Sequence, residues 1–479
     1  IASVASGLCV GVQDASTSAG KAIQQQACTG AAGQVWAVTA SGSSYRVVNA
    51  NGGKCANTKD NSTATGALVQ TNSCDSVATK QWTFTPATGG PTSTTTSTST
   101  TTSTTTTTTT TTTTNTTTTT TVPGGTTLYV SPNGTDSAAG TESAPTTLTS
   151  AISRVKPGGT ILMRGGTYRF GQTVTIPQGN NGTSTDRTKL YAYVGETPVL
   201  NFSAQAEDPA NRGLAVNGNY WHVRGLVVER AGDNGIFVGG SHNIFERTVT
   251  RFNRDTGLQL SRALSTTPKD QWPSYNLILS AESHDNADSD GEDADGFAAK
   301  LTSGPGNVFR YAVSHNNIDD GWDLFTKTDT GPIGVVTIED SLAYNNGTLS
   351  DGSQAGNGDR NGYKLGGEDI GVNHVIRRSI AYRNGKHGFT YNRNLGTMTI
   401  SGNVSIDNTE RNFNFDGGSS VFRDNTSCRS GSGTSDRTLG DVDGSNQFWS
   451  GTNGSRCSSY AGALRWSYAS DGRLVVTFG

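Results

Sequence analysis

The stretch NNIDDGWDLF places three aspartates within five positions, namely Asp319, Asp320 and Asp323. A fourth aspartate, Asp295, closes the segment ADSDGEDAD and, like Asp320, stands directly before a glycine. Carboxylates at this density repel one another unless a cation neutralises them, and a single lysine is not enough. That lysine is Lys364, which lies two positions after the glycine in RNGYKLGG. Such a group could bind a divalent metal and supply a Brønsted base.

A repeated sequence motif must position these residues. Six segments of alternating character are each interpreted as one strand that ends at an asparagine, followed by a second strand with a glycine; the asparagines are Asn253, Asn286, Asn317, Asn346, Asn384 and Asn408. Coils of roughly 22 to 26 residues, apart from insertions, are typical of a parallel β-helix, in which equivalent residues stack about 4.8 Å apart. The asparagines are expected to form a structural hydrogen-bonded ladder.

Alignment of the coils on the second-strand glycine predicts which residues are neighbours; these glycines are Gly235, Gly257, Gly296, Gly321, Gly362 and Gly388. One position before the glycine, Asp295 and Asp320 occupy adjacent coils. Two positions after it, Asp323 stands beside Lys364. Asp319 adds its carboxylate at the same turn. The alignment therefore predicts one pocket that contains four carboxylates and an amine.

The donor types in this pocket favour calcium. Calcium accepts six to eight oxygen ligands in irregular geometry, whereas zinc and copper prefer the histidine or cysteine that this cluster lacks. A structural calcium that pins one turn is as good an interpretation of the acidic cluster alone as a catalytic one. Two features favour a catalytic role over a structural one. First, the connections after Asn286 and Asn346 are six and twelve residues longer than the usual four, and would rim a cleft. A dication would also lower the pKa of Lys364.

The segments DADGFAAKL, NNIDDGWDL and NGYKLGG, in this order on a β-helix, resemble the motifs of polysaccharide lyase family 9. That family contains pectate lyases, exopolygalacturonate lyases and rhamnogalacturonan lyases, and the resemblance spans most of residues 127–430. It implies the four aspartates as calcium ligands and Lys364 as the catalytic base of a β-elimination. The implied partner is an acidic plant cell-wall polysaccharide, homogalacturonan before rhamnogalacturonan, cleaved in endo or exo fashion.

Further residues near the predicted pocket have two interpretations each. Lys300, His387 and Arg393 are candidates for binding substrate carboxylates, although a surface or fold role is the more common one for such residues. Trp322 could be a core residue or a sugar platform. Two other functions also remain open: a glycoside hydrolase with paired aspartates on the same fold, and a non-catalytic wall-binding protein.

The first 90 residues contain an internal repeat at an offset of 46. The segments LCVGVQD and KCANTKD, each followed by a second cysteine and a tryptophan, resemble ricin-type β-trefoil lectin repeats, a carbohydrate-binding family. The chain departs from that family in having two repeats instead of three, Lys80 in place of a glutamine, and Gly11 and Asn57 in place of the usual aspartate. A small β module without ligand is the alternative. The spacing favours the bridges Cys9–Cys28 and Cys55–Cys74 without fixing the pairing.

The predicted fold class is all-β: a right-handed parallel β-helix over 125–479, preceded by a β-trefoil-like module over 1–90 on a Thr/Ser-rich linker over 91–124. The net charge of −3 argues against nucleic acid as a partner, and no apolar run is long enough to span a membrane. A processed chain is expected from the start at Ile1 and a secreted one from the six cysteines, with Cys428–Cys457 as a further bridge; the chain is also expected to be a monomer. Glycosylation is expected at acceptor sequences that include Asn61, Asn133, Asn201, Asn346, Asn403 and Asn425.

Overall fold

The computed structural model describes residues 9–26, 31–41, 44–64, 67–75, 77–83 and 126–479. The chain divides into two compact units, Ile1–Thr118 and Thr119–Gly479, and each is described by itself. The predicted linker, residues 91–124, lies wholly within the stretch 84–125 that is not described. The division of the chain into module, linker and β-helix therefore stays a prediction.

The larger unit is a parallel β-helix in which each complete coil contributes one strand to each of three sheets. The first, here called the site sheet, has ten strands: Val174–Ile176, Leu214–Val216, Ile236–Val238, Leu258–Leu260, Phe297–Ala299, Trp322–Asp323, Tyr363–Lys364, Phe389–Thr390, Phe413–Phe415 and Arg437–Thr438. The second, the long sheet, has twelve: Thr127–Val130, Thr160–Met163, Thr188–Ala192, Trp221–Arg224, Ile244–Glu246, Leu277–Leu279, Asn307–Arg310, Val336–Glu339, Val375–Arg377, Thr399–Ser401, Val421–Arg423 and Asp441–Val442. The third sheet has ten: Gly166–Arg169, Pro198–Asn201, Val227–Glu229, Val249–Arg251, Glu282–His284, Val313–His315, Leu342–Tyr344, Ile380–Tyr382, Val404–Ile406 and Thr426–Cys428. The structure is nearly all β and contains long parallel sheets. It therefore confirms the predicted all-β fold class.

The helix interior is filled by columns of inward-facing side chains from successive coils. In the site sheet an aromatic column runs through Phe297, Trp322, Tyr363, Phe389 and Phe413, with ring centroids 4.6 to 5.1 Å apart. All five side chains are fully buried. Trp322 is therefore a core residue and is not a sugar platform.

The predicted asparagine ladder is present. The side-chain amide of Asn286 donates to the Asn317 oxygen at 2.8 Å, and that of Asn317 donates to Asn346 at 2.9 Å. The same bond continues from Asn346 through Asn384 at 3.0 Å. Because every rung pairs a donor with an acceptor in the dry interior, the ladder holds the coils in one register.

The prediction of one strand before each asparagine was wrong, because a corner divides that segment between the long and third sheets. The corner residue adopts a left-handed backbone, as in Arg247, Ser280 and Asp340 with φ of 50° to 51°. Non-glycine residues rarely adopt this conformation, so the alternating pattern conceals the bend. Gly225 and Gly402 occupy the same corner position in other coils, where they are the visible signal for a turn.

A helix and a hairpin pack against the β-helix at different places. At the start, helix Leu148–Arg154 is capped by Thr147, whose hydroxyl accepts from Ser150 N at 3.2 Å. Near the end of the sequence, the hairpin Leu464–Tyr468 with Leu474–Phe478 packs on the side of the third sheet, where the Tyr468 hydroxyl donates to Ala281 O of a middle coil at 3.0 Å. Short 3-10 helices lie at Lys269–Gln271 and Ser455–Tyr460, and the predicted disulfide Cys428–Cys457 is formed.

The smaller unit is β-rich. Its strands are Cys9–Val12 with Ile23–Gln26, and the four-stranded set Trp36–Ser41, Ser44–Asn49, Cys55–Thr58 and Val69–Asn72. Its 3-10 helices are Gln13–Ala15, Ala32–Gln34, Lys59–Asn61 and Ala78–Lys80. The predicted bridge Cys55–Cys74 is present, whereas Cys28 lies outside the described residues and its pairing with Cys9 stays a prediction.

The places of the missing lectin aspartates are both enclosed. A Cβ atom on Gly11 would lie 2.3 Å from the Gln26 side-chain oxygen, so Gln26 fills that place in the first repeat. In the second repeat Asn57 is fully buried. Lys80, which replaces the glutamine, is also buried and pairs with Asp75 at 2.6 Å. Each residue that departs from the lectin pattern is thus either buried or in contact with a neighbouring side chain.

Several of the asparagines in glycosylation acceptor sequences are enclosed in the β-helix. Asn346, Asn403 and Asn425 are at most 1% exposed and belong to the ladders of the folded β-helix. Asn201 is 8% exposed and donates to Glu229, so it too is enclosed. In the part of the chain that is described, no helix is long and apolar enough to cross a membrane.

Candidate active site

The backbone register of the site sheet places the predicted residues side by side. Asp323 pairs with Lys364 on the next coil, and Lys364 pairs in turn with Thr390. On the other side, Ala298 pairs with Asp323. This is the register predicted by aligning the coils on their glycines, and it is therefore confirmed.

Backbone amides fix the three buried aspartates at the turn before the site sheet. Asp320 N donates to Asp295 Oδ1 at 3.2 Å, and Asn361 N donates to Asp320 Oδ1 at 2.6 Å. Arg360 N donates to Asp319 Oδ1 at 3.1 Å. Each carboxylate is at most 1% exposed. One oxygen of each is thus held by the next coil, and the cluster is built into the fold.

These three carboxylates form a compact oxygen group. Asp295, Asp319 and Asp320 each offer an oxygen within 4.8 Å of the others. Burial, countered by Lys300, raises the pKa of Asp295 to about 7, and burial together with Asp320 raises that of Asp319. Charges in such a group are stable only with protons or a cation to neutralise them.

Buried carboxylate oxygens without hydrogen bonds show where a cation would fit. Asp320 Oδ2 and Asp323 Oδ1 are buried and have no hydrogen-bond partner among the described residues. Buried oxygens without partners are exceptions in folded proteins and require an explanation. Asp323 lies outside the three-oxygen group but is linked to it, because its Oδ2 is 3.5 Å from Lys300 Nζ and 3.6 Å from Lys364 Nζ. The donor set consists of carboxylate oxygens, which suits calcium.

Lys364 lies against this acidic group. Its Nζ is 3.0 Å from Asp359 Oδ2, 3.4 Å from Asp320 Oδ2 and 3.6 Å from Asp323 Oδ2. Burial lowers its pKa, but the surrounding carboxylates, Asp323 first, outweigh burial and raise it. The lowering expected for a base therefore depends on a cation that cancels the aspartate charge.

Asp359 is a site residue that the sequence did not reveal. It lies in the twelve-residue insertion, and its backbone N also donates to Asp319 Oδ1. Its second oxygen lies 3.4 Å from Lys386 Nζ. Because the insertion interrupts the coil alignment, no position in it could be assigned to a neighbour. The length of the loop marked it as part of a rim but did not identify this residue.

The three candidate substrate-binding residues occupy different surroundings. Lys300 is 7% exposed and its Nζ lies 2.8 Å from Asp295 Oδ2. Its positive charge therefore already offsets negative charge of the aspartate group. Arg393 is exposed at the rim, where its Nε donates to Asp369 Oδ1 at 3.0 Å. Burial lowers the pKa of His387 to about 4, so this imidazole is neutral above that pH. Carboxylate binding by these residues stays a prediction.

A cleft lies above the aspartates and Lys364. Its volume is about 510 Å³, and its lining includes Lys300, Asp323, Phe325 and Lys364. The two long loops contribute to its walls with Glu292, Asp293, Asn357 and Asp359. A second cavity of about 220 Å³ shares Asp359, Asn392 and Arg393 with the cleft and so continues it. The loops therefore border the cleft, as their length predicted.

Comparison with known families gives two matches. Residues 128–425 match the family described as Pel9A-like, right handed beta helix region. Residues 1–71 and 39–121 match the ricin-type beta-trefoil lectin domain-like family. The first match contains every site residue discussed above, and the second contains the N-terminal repeat.

Similar proteins agree with these matches. A pectate lyase L of Paenibacillus polymyxa (strain SC2) is 56% identical over 325 residues, which are 67% of this chain and 72% of that protein. A pectate lyase L of Thermoclostridium stercorarium is 44% identical over 293 residues, which are 61% of this chain and 23% of that protein. The crystal structure of pectate lyase Pel9A is 33% identical with a TM-score of 0.62, and the match covers 73% of this chain and 87% of that one.

Proposed function

This chain belongs to the Pel9A-like right-handed β-helix family, and from that premise we propose that it is a calcium-dependent pectate lyase that cleaves polygalacturonate by β-elimination. The observation that supports this proposal most directly is the juxtaposition of Lys364 with the aspartate group. One amine lies within 3.0 to 3.6 Å of three carboxylates, at the floor of a cleft. A base beside a cation site is what this elimination requires.

The four aspartates would hold the cation. Asp295, Asp319 and Asp320 supply the compact oxygen group, while the unpaired Oδ1 of Asp323 is a further ligand. When bound, calcium would supply positive charge that polarises the substrate carboxylate and makes the neighbouring C5 proton more acidic. Lys300 would remain as the buried counter-charge that holds Asp295 and Asp323 in position.

Lys364 would act as the Brønsted base. Its Nζ takes the proton from C5 of a galacturonosyl unit, the electron pair forms the C4=C5 double bond, and the C4–O bond breaks so that the oxygen leaves with the adjoining sugar and takes up a proton from water. The base must be unprotonated to begin, which requires the aspartate charge around it to be offset. Asp359, which is nearest to Nζ, would orient the amine without belonging to the proposed ligand set.

The substrate is proposed to be homogalacturonan, with rhamnogalacturonan as the alternative on the same scaffold. The N-terminal module would add carbohydrate binding, as its ricin-type lectin match indicates. The two disulfides of the described residues, Cys55–Cys74 and Cys428–Cys457, are consistent with a secreted protein. We further propose that the chain acts as a monomer.

The test is an activity assay with purified polygalacturonate and rhamnogalacturonan, with calcium, with EDTA, and with calcium restored. A lyase gives an unsaturated product that absorbs ultraviolet light, whereas a hydrolase does not. Lys364→Ala should abolish product formation, and Lys156→Ala, at an exposed position outside the cleft, should not. Full activity of Lys364→Ala, or activity unaffected by EDTA, would refute the mechanism.

A further inference from the structure

The cavity of about 220 Å³ lies one coil beyond Lys364 in the C-terminal direction. Its floor comes from the strand Phe389–Thr390, which pairs with Tyr363–Lys364, and from Phe413–Phe415 on the following coil. Since it shares three lining residues with the main cleft, a polymer bound at Lys364 can enter it without leaving the protein surface. At a coil spacing of about 4.8 Å, one further coil corresponds roughly to the length of one sugar unit.

Two buried polar atoms of residues that line this cavity are unpaired. His387 is 6% exposed and Asn414 is 9% exposed. Within the described chain, neither His387 Nδ1 nor Asn414 Oδ1 has a hydrogen-bond partner. Asn414 Nδ2 donates to Thr390 Oγ1 at 3.3 Å, and His387 Nε2 lies 3.6 Å from Glu410 Oε2. Such atoms are rare in a folded protein, and two in the lining of one cavity indicate a ligand that completes their bonds.

The chemistry of these two atoms indicates hydroxyl groups. Because the imidazole is neutral above about pH 4, His387 Nδ1 can donate to or accept from a hydroxyl. An amide oxygen such as Asn414 Oδ1 accepts from a hydroxyl and would repel a carboxylate. The ring of a sugar offers several hydroxyls that both donate and accept.

The charged side chains at the rim indicate an acidic sugar. Lys386 is half-buried and its Nζ lies 3.4 Å from Asp359 Oδ1, a distance that leaves the ammonium available to a second carboxylate. The other carboxylate of the cavity, Asp416, is held by Arg437 at 2.9 Å. Lys386 can therefore contact a uronate carboxylate, while Asp416 is already paired.

We propose that this cavity is a second sugar subsite, which takes the galacturonosyl unit adjoining the one at Lys364. Its ring hydroxyls bond to His387 Nδ1 and Asn414 Oδ1, and its carboxylate contacts Lys386. The inference rests on the proposed function for the identity of the sugar. It adds that the bound polymer runs along the β-helix axis toward the C-terminal coils.

The experiment measures oligogalacturonide binding by calorimetry, with calcium present and with Lys364→Ala as the background so that no substrate is consumed. Galacturonate oligomers of increasing length are titrated into the full chain. In the Lys364→Ala protein, here the parent, the affinity for the oligomer should rise when the oligomer becomes long enough to fill the second cavity. Asn414→Leu and His387→Leu are each expected to remove about tenfold of that rise and to leave the affinity of the shortest bound oligomer unchanged.

The control variant is His242→Phe, which replaces a stacked imidazole between Tyr220 and Tyr275 outside the cleft and should change no affinity. Thermal unfolding separates binding from folding, because Asn414→Leu removes both an unpaired buried oxygen and the bond to Thr390 Oγ1, two opposing effects that should leave the melting temperature nearly unchanged. Equal affinities of the parent and both variants at every length would overturn the subsite. So would an equal loss at every length together with a lower melting temperature. Neither result affects the ultraviolet assay of the unmodified chain, which tests the lyase activity independently.

Discussion

Removal of one aspartate charge should have opposite effects on calcium binding and on the stability of the calcium-free protein. Asp320→Asn retains an oxygen that can accept from Asn361 N but replaces Oδ2, which has no hydrogen bond, by an amide nitrogen that cannot bind a cation. We expect the calcium Kd to rise about 100-fold, since each ligand charge contributes strongly to affinity at an oxygen site. At a calcium concentration 100 times the parent Kd, the ion stabilises the parent by about 2.7 kcal/mol. The variant, with calcium at its own Kd, would gain only about 0.4 kcal/mol.

The assay is thermal or urea unfolding at matched calcium concentrations, together with direct calcium titration by calorimetry. Asp369→Asn is the control, because Asp369 is an exposed carboxylate paired with Arg393 at the rim and should leave the calcium effect intact. In EDTA the order reverses: Asp320→Asn should be more stable than the parent, since one of the mutually repelling buried charges is gone. An equal stabilisation of variant and parent by calcium would show that Asp320 is not a ligand.

Three further changes test other parts of the structure. Asp359→Asn should lower kcat several-fold while calcium titration stays nearly unchanged, because the Asp359 side chain contacts the candidate base, and its backbone bond to Asp319 is kept in asparagine. Asn317→Ala should destabilise the folded chain by about 2 to 4 kcal/mol in urea unfolding, since it breaks two buried ladder bonds, whereas a loss under 1 kcal/mol would refute that role. Burial raises the pKa of Glu339, but Arg310 and Arg377 outweigh it and lower that pKa, so this acid stabilises the fold above its unfolded pKa of about 4.3. That stability is lost as pH falls through the lower folded pKa, so Glu339→Gln should unfold at lower urea than the parent at pH 7, and the difference should shrink as the pH falls below the unfolded pKa.

The site was predictable to the extent that the repeat is regular. Asp323 and Lys364 are 41 positions apart in sequence, yet the glycine alignment predicted them as neighbours because both lie two residues after the turn. The ladder asparagines were found for the same reason. Where the coil length is regular, sequence separation converts directly into distance along the axis.

The unpredicted parts lie where that regularity fails or leaves no pattern. Asp359 lies within an insertion, so its place beside Lys364 depends on how the loop folds. The corner at Arg247 has a left-handed backbone, a conformation that an arginine in the sequence does not indicate. The unpaired atoms of His387 and Asn414 depend on which neighbours fail to reach them, and only side-chain coordinates show this.

The same regularity explains how the loops can differ in length without disturbing the catalytic register. Each glycine before the site sheet lies so close to the next coil that no side chain fits: a Cβ on Gly321 would be 2.5 Å from Gly362 O, and one on Gly362 would be 2.6 Å from Gly388 O. The ladder bond of 3.0 Å from Asn346 to Asn384 holds the other end of the same turn. An insertion between the asparagine and the glycine is therefore anchored at both ends and can only project outward. The scaffold fixes Lys364 against the aspartates, while the inserted residues, Asp359 among them, shape the cleft that a substrate meets.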